Sequence, residues 1–138
     1  MRFWDSSALT PLLVGEPDSE AREDALDQDR GMVVWYATQA EIESAIARRR
    51  REGMPAAEER AARTRLQMLA ASWHEVQPTA VLRERAIRLL RVHPLRAADA
   101  FQLAAALTAC RERPDGAEFL TADERLRQAA EREGFEAH

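Results

Sequence analysis

The chain has 138 residues, 46% of them apolar and 32% charged, with a formal net charge of −4 at pH 7; this suits one globular domain over residues 1–138, not a disordered chain, and argues against nucleic-acid binding driven by bulk charge. All twenty cationic side chains are arginine, which excludes Walker A phosphate loops, Schiff-base enzymes and lysine general bases together, since each requires a lysine. Cys110 stands alone, so neither an intrachain disulfide nor a cysteine zinc site can form, and its place on an apolar helix reads as a small buried hydrophobe.

In chain order, Arg2-Phe3-Trp4-Asp5 reads as a short buried strand running into Ser6-Ser7, which are good N-cap residues for a helix through Leu9 to Val14. Pro11 is tolerable there only in the first turn. Gly15 and Pro17 stop that helix, Asp18 can cap the next, and the charged segment to Arg30 reads as an exposed helix. Met32-Val33-Val34-Trp35 is a second strand. Thr38-Gln39-Ala40-Glu41 matches a capping box, with Thr38 as N-cap and Glu41 three residues later, and the helix it starts runs to Gly53.

Pro55 suits the first position of a further helix through Ala71, and Trp73 to Val76 reads as a short extended piece. Thr79 caps a helix carrying Val81, Leu82, Ile87, Leu89 and Leu90, ended by His93-Pro94. The next stretch, LRAADAFQLAAAL from Leu95 to Leu107, is apolar on nearly every side, as a helix buried at the centre of a domain would be. A turn at Pro114-Asp115-Gly116 leads to a strand over Glu118 to Thr121, a helix from Asp123 to Glu133 and an edge strand near Phe135 to Ala137. The chain contains no apolar run of membrane-spanning length, and Asp5 interrupts the place where a signal peptide needs an apolar core, so a cytoplasmic protein without membrane contact is expected.

Strands alternating with helices predict an α/β fold, three-layer α/β/α around a central, mainly parallel sheet. Ligands of such folds bind beyond the carboxyl ends of the strands. That rule singles out Asp5 at the end of the first strand, Glu41 opening the helix after the second, Asp99 opening the central helix, and Asp123 after the strand ending in Thr121. Each has a local explanation: Asp5 as a turn residue, Glu41 closing a capping box, Asp99 favouring a helix dipole, Asp123 capping its helix. Together at one sheet edge, however, they repel unless a multivalent cation lies between them. Oxygen ligands without cysteine or clustered histidine suit Mg2+ or Mn2+, not zinc. His74, His93 and His138 are scattered, and a solvated or helix C-terminal position explains each of them. The arginine run Arg48, Arg49, Arg50 and Arg51 reads either as cations suiting a helix C-terminus on a solvated face or as a phosphate-guiding strip for RNA, only part of which can face one direction.

These residues resemble PIN-domain proteins, specifically the VapC-type ribonuclease toxins of bacterial toxin–antitoxin pairs. The resemblance is carried by FWDSSAL, AEIESAIARR, LRAADAFQLAAAL and FLTADERLRQAAEREGF, and so covers almost the whole chain. It implies a PIN-like fold and an acidic metal site at Asp5, Glu41, Asp99 and Asp123, with Ser7 and Thr121 as hydroxyls supporting the ligands. Glu43, two residues from Glu41, falls on roughly the opposite side of a helix and is a poor ligand. The implied activity is Mg2+-dependent hydrolysis of RNA phosphodiester bonds by metal-activated water, leaving a 5′-phosphate and a 3′-hydroxyl. The implied partners are an RNA substrate, a small cognate antitoxin and a second copy in a homodimer. Two other classes compete. A receiver-type phospho-acceptor domain also gathers acids around Mg2+ but relies on a lysine, which is missing here. A catalytically silent PIN-like RNA-binding or antitoxin-docking module would keep the fold without needing all four acids.

Overall fold

A computed structural model of the chain describes residues 1–15, 19–29 and 31–138. Pro17 and Asp18, read above as a helix stop and a cap, and Arg30 lie outside the described residues. The elements run β1 (Arg2–Trp4), α1 (Ser6–Val14), α2 (Ser19–Asp27), β2 (Val33–Trp35), α3 (Thr38–Arg51), α4 (Ala56–Ala70), β3 (His74–Val76), α5 (Ala80–Val92), α6 (Ala97–Ala109), β4 (Glu118–Leu120), α7 (Glu124–Glu133) and β5 (Glu136–Ala137). The strands form one sheet in the order β3-β2-β1-β4-β5, and every pair among the described residues is parallel.

Side chains alternate across a strand, and β1, β2 and β4 each serve two cores. Phe3, Trp35 and Phe119 face a cluster built with α5, α6 and α7, where Leu82, Leu89, Leu103, Leu107 and Leu126 are buried. Trp4, Val34 and Leu120 face the opposite cluster, built with Leu9 and Leu12 of α1, Ile42 and Ile46 of α3, and Leu66 of α4. The expected three-layer α/β/α arrangement is therefore present, and its sheet is wholly parallel. The connections through α1 to α4 carry the chain outward from β1 to β3. The connection through α5 and α6 then returns it to the far side of β1. Between β1 and β4 the winding direction thus reverses, and the carboxyl ends of those two strands flank the crevice where such sheets take ligands.

The central helix behaves as its composition demands: Ala100, Gln102 and every residue from Leu103 to Leu107 are buried. Thr79 caps α5 by accepting the Leu82 backbone N–H at 3.1 Å, and Gly53 and Gly134 follow α3 and α7 with positive φ. Gly134 is required twice over, because at φ 107° a side chain is strained and a Cβ would stand 3.0 Å from Pro114 Cγ. Cys110 follows α6 and is only half-buried, its thiol donating to the Leu107 carbonyl at 3.4 Å.

Four local expectations are corrected. Ser6 and Ser7 do not cap α1: Asp5 holds the N-cap position, its backbone carbonyl accepts the Ala8 N–H at 3.0 Å, and the serine hydroxyls turn to the acids. Pro11 lies beyond the first turn of α1 and is buried there with Ala8, Leu9 and Leu12, so packing outweighs the helix penalty; the Thr10 hydroxyl donates to the Ser6 carbonyl at 3.0 Å one turn back. Ala37, not Thr38, is the N-cap of α3, and no capping box forms. The charged helix α2 is not simply exposed: Ala25 and Leu26 pack against the core, and Arg22 donates to the Thr121 carbonyl at 2.9 Å. On α5, Leu82, Ala86 and Leu89 supply the buried face, whereas Val81, Ile87 and Leu90 are exposed.

Candidate active site

Asp5 leaves β1 at the crevice and is 3% exposed. A buried carboxylate needs donors or a cation, and here hydroxyls are supplied to one oxygen. Thr121, at the end of β4, donates to Asp5 Oδ2 at 2.8 Å, and the Ser7 hydroxyl donates to the same oxygen. The two hydroxyls lie 3.1 Å apart and are themselves pinned, Ser7 Oγ accepting the Ala122 N–H at 2.8 Å and Thr121 Oγ1 the Asp123 N–H at 3.1 Å. Among the described side chains, Oδ1 meets only the Ser6 hydroxyl at 3.5 Å, and that hydroxyl donates instead to Glu41 Oε2 at 2.8 Å. Oδ1 is therefore the freer oxygen. Burial pushes the Asp5 carboxyl above its ordinary pKa, against the pull of these hydrogen bonds.

Glu41, one turn into α3, reaches across to α1 and α6 instead of back to its own helix start. Beyond Ser6, its two oxygens each lie 3.3 Å from Gln102 Nε2, which also approaches Thr38 Oγ1 at 3.2 Å. Burial raises the Glu41 pKa; the bonds from Ser6 and Gln102 oppose this, and the charges of Asp5 and Asp99 add to it. Asp99, in the first turn of α6, is raised chiefly by burial and then by the charges of Asp123 and Asp5, with Arg96 pulling the other way. Asp123 does cap α7, its Oδ1 accepting the Leu126 N–H at 2.8 Å. All four acids named from the sequence are thus brought to one sheet edge. Asp5, Glu41 and Asp99 feel one another's charge, while Asp123 acts on Asp99 and also holds a structural cap.

Sequence reasoning missed two members of this network. Ser6 was read as a cap, although its neighbour Asp5 marks the strand end. Gln102 sits inside a helix read only as apolar and buried, yet it stands three residues after Asp99 and so on the same helix face, a spacing that could have flagged it. Its Nε2 must face Glu41, which leaves Oε1 buried with no hydrogen-bond partner among the described residues.

Two openings flank the acids. A cleft of about 570 Å³ lies between α1 and α3, lined by Ser6, Thr10, Glu41, Ser44 and Arg48. Another of about 530 Å³ is lined by Asp99, Asp123, Arg96 and Arg125. Of the arginine run, only Arg48 lines the cleft; Arg50 donates to the Met54 carbonyl at 3.0 Å and lies 3.7 Å from Glu59. Among the described residues, no ion pair joins any of the four acids to a basic side chain.

A model of the PIN domain matches residues 2–132. The chain belongs to the PIN-domain family. Two crystal structures share this PIN fold at 18% identity. PAE2754 from Pyrobaculum aerophilum superimposes with a TM-score of 0.72 over 99% of this chain and 89% of that one. Mycobacterium tuberculosis VapC20, described as a Sarcin-Ricin loop cleaving toxin, does so with a TM-score of 0.71 over 98% and 96% of the two chains. No match is found among curated proteins. No helix among the described residues is long and apolar enough to cross a membrane.

As the side chains stand, no three His, Cys, Asp or Glu groups among the described residues converge closely enough to grip one ion. Glu41 is turned to Ser6 and Gln102, and Asp123 to its cap. The donor chemistry nevertheless fits a hard divalent cation: carboxylate oxygens that repel one another, with no bonded counter-charge among the described residues, and an orphaned buried amide oxygen on Gln102 beside them.

Proposed function

We propose that this PIN-domain chain is a divalent-metal-dependent ribonuclease acting as the toxin of a type II toxin–antitoxin pair. The observation that carries this is Asp5: a buried carboxylate at the switch point of a parallel sheet, held by hydroxyls chiefly through one oxygen, with Glu41 and Asp99 as like-charged neighbours. A site built to hold up the folded state would pair such charges with cations. Mutual repulsion among carboxylates is the signature of a site completed by something else.

In this reading Asp5, Glu41, Asp99 and Asp123 hold Mg2+, with Mn2+ as an alternative. The bound ion supplies Lewis acidity for the scissile phosphate and lowers the pKa of a water molecule. The chain's own residues do the rest. Ser7 and Thr121 lock Asp5 through Oδ2 and leave Oδ1 the freer oxygen, and Ser6 and Gln102 fix the swing of Glu41. Asp99 is carried on the least mobile kind of support, a buried helix. Arg48 on one side and Arg96 and Arg125 on the other offer guanidinium groups to the phosphates of a strand crossing the acids. A small antitoxin covering the acidic cleft, and a homodimer, belong to the same proposal. The fold shared with a VapC20 toxin supports the toxin role.

The test is cleavage of total cellular RNA by the purified chain in Mg2+ or Mn2+ and in chelator, with sequencing of the cut ends. The proposal expects metal-dependent products with 5′-phosphates. Undiminished cleavage in excess chelator, or no cleavage with either ion, contradicts it. Co-expression with the adjacent small open reading frame, followed by light scattering of what co-purifies, checks the partner and the dimer.

A further inference from the structure

The carboxyl edge of the sheet carries a third concavity, which the acids do not line. Trp35 at the end of β2 and Phe101 on α6 stack in parallel, with ring centroids 5.6 Å apart and planes 4° apart. Together with Pro78, Thr79, Ala80 and Arg83 they line an apolar pocket of about 360 Å³. Trp35 is 6% exposed and anchors the stack in the core. Phe101 is half-buried, and Tyr36, edge-on to Trp35 at 6.3 Å, is 53% exposed. Phe3, Trp4 and Phe119, by contrast, are fully buried, so part of the aromatic surface left to solvent lies here, with Trp73 half-buried elsewhere.

An aliphatic side chain of a protein partner and a flat base are the rival occupants, and three features favour the base. Trp35 and Phe101, stacked on each other, also wall the pocket, and stacking on an aromatic face accepts any base. Arg83 stands at the pocket, exposed, and its side chain makes no hydrogen bond or ion pair with any described residue, so a guanidinium is available to a phosphate. The pocket also lies at the same end of the sheet as the acidic cleft: Trp35 ends β2 as Asp5 follows β1, and Ala37, two residues after Trp35, lines the cleft with Glu41.

We infer that the Trp35–Phe101–Arg83 pocket takes one unpaired base of a single-stranded RNA whose neighbouring phosphate lies at the acids. The pocket, with Tyr36 at its margin, then selects where along a strand the chemistry falls, since sequence-specific RNA recognition works by splaying bases onto aromatic side chains. The identity of the strand rests on the ribonuclease reading above; the pocket's affinity for a base does not require cleavage.

The experiment is photo-crosslinking of the full chain, in chelator, to short single-stranded RNAs carrying 5-iodouridine at each position in turn, with adducts mapped by peptide mass spectrometry. In parallel, affinity is read by fluorescence anisotropy for the wild type, for Tyr36→Ala and Arg83→Ala, both at exposed positions, and for Phe101→Leu. The inference expects adducts on Trp35, Tyr36 or Phe101, and about a tenfold loss of affinity on combining Arg83→Ala with Phe101→Leu. Adducts confined to other regions, no measurable RNA binding, or unchanged affinity in the combined variant overturns it. Retained RNA affinity together with loss of a bound protein partner also overturns it, because the pocket then serves a polypeptide. A wild-type chain that gives pocket adducts but never cuts RNA refutes the nuclease reading and upholds the pocket; one that cuts without pocket adducts does the reverse.

Discussion

Two regions of this molecule bury charged groups, and they treat them in opposite ways. Between α5 and α7, His93 is 3% exposed at its side chain, and its Nε2 lies 2.7 Å from Glu133. Glu133 also lies 3.4 Å from Arg85, which reaches Glu112 at 2.7 Å. Acidic and basic side chains alternate through that seam, so each carboxylate there has a bonded partner of the other kind. At the carboxyl edge of the sheet, Asp5, Glu41 and Asp99 are gathered without such partners, and hydroxyls and an amide are the donors offered to Asp5 and Glu41. The first arrangement ties two helices together. The second keeps a concentration of negative charge that contributes nothing to the fold by itself, which is the pattern of a functional site.

Substitution should break the two regions in opposite directions. Asp5→Asn and Asp99→Asn are each expected to reduce metal-dependent RNA cleavage by more than about 100-fold, above the range seen when only the outer partners of a ligand are changed. Their melting temperatures should stay at or above wild type, since repulsion falls. Glu133→Ala is expected to do the reverse, losing roughly 1–3 kcal/mol of stability because His93 and Arg85 lose a partner while cleavage by the folded fraction is unchanged. Denaturant melts alongside single-turnover assays distinguish these outcomes. Equal loss of stability and activity in both sets would erase the distinction between the regions.

Glu41 sharpens the comparison. Because its carboxylate faces Ser6 and Gln102 and not the start of its own helix, Glu41→Gln and Glu41→Ala should both abolish most cleavage, with each variant remaining within about 1 kcal/mol of wild type in stability. A melting temperature that falls in step with activity in Glu41→Ala would restore the capping role. A smaller effect is expected behind Asp5, where Thr121→Val removes a donor to Oδ2 and an acceptor for the Asp123 N–H. It should lower cleavage about 10- to 100-fold. The smallest effect belongs to Arg48→Ala, which should leave the cleavage chemistry intact and reduce the slope of log affinity against log salt for single-stranded RNA by about 0.7, the share of one phosphate contact.

The layered fold was legible because the strands and the α6 helix carry strong apolar patterns. The acids were legible because a general rule assigns ligands to the carboxyl ends of parallel strands. Thr79 and Gly53 were readable for a similar reason, each satisfying its helix end through local geometry. Thr38 and Glu41 obey an equally good local rule, and there the sequence reading failed: a hydroxyl and an amide from distant elements, Ser6 and Gln102, compete successfully for the carboxylate. Pro11 failed likewise, since burial of its ring outweighs the hydrogen bond it cannot make. The seam of His93, Glu133, Arg85 and Glu112 left no trace in the sequence, because its members are separated by up to 48 residues and meet only when α5 and α7 dock.

An acidic edge shaped for a divalent cation should reveal itself in thermal melting, without requiring any RNA. Burial holds the carboxyls of Asp5, Glu41 and Asp99 above their ordinary pKa, and neighbouring charges raise the latter two further. A carboxyl whose folded pKa is raised favours the fold fully below its unfolded value, near 4, and that contribution is lost as pH rises through the folded value. At pH 7 the three charges therefore weaken the fold, and a cation bound among them should restore stability, by about 2.7 kcal/mol at 100 times its dissociation constant. The melting temperature at pH 7 is predicted to rise by several degrees with Mn2+ or Mg2+. The rise should shrink as pH falls toward 4, and Asp99→Asn should melt higher without metal and gain less with it. A wild-type melting temperature indifferent to both ions at pH 7, or an equal rise in Asp99→Asn, would contradict the claim.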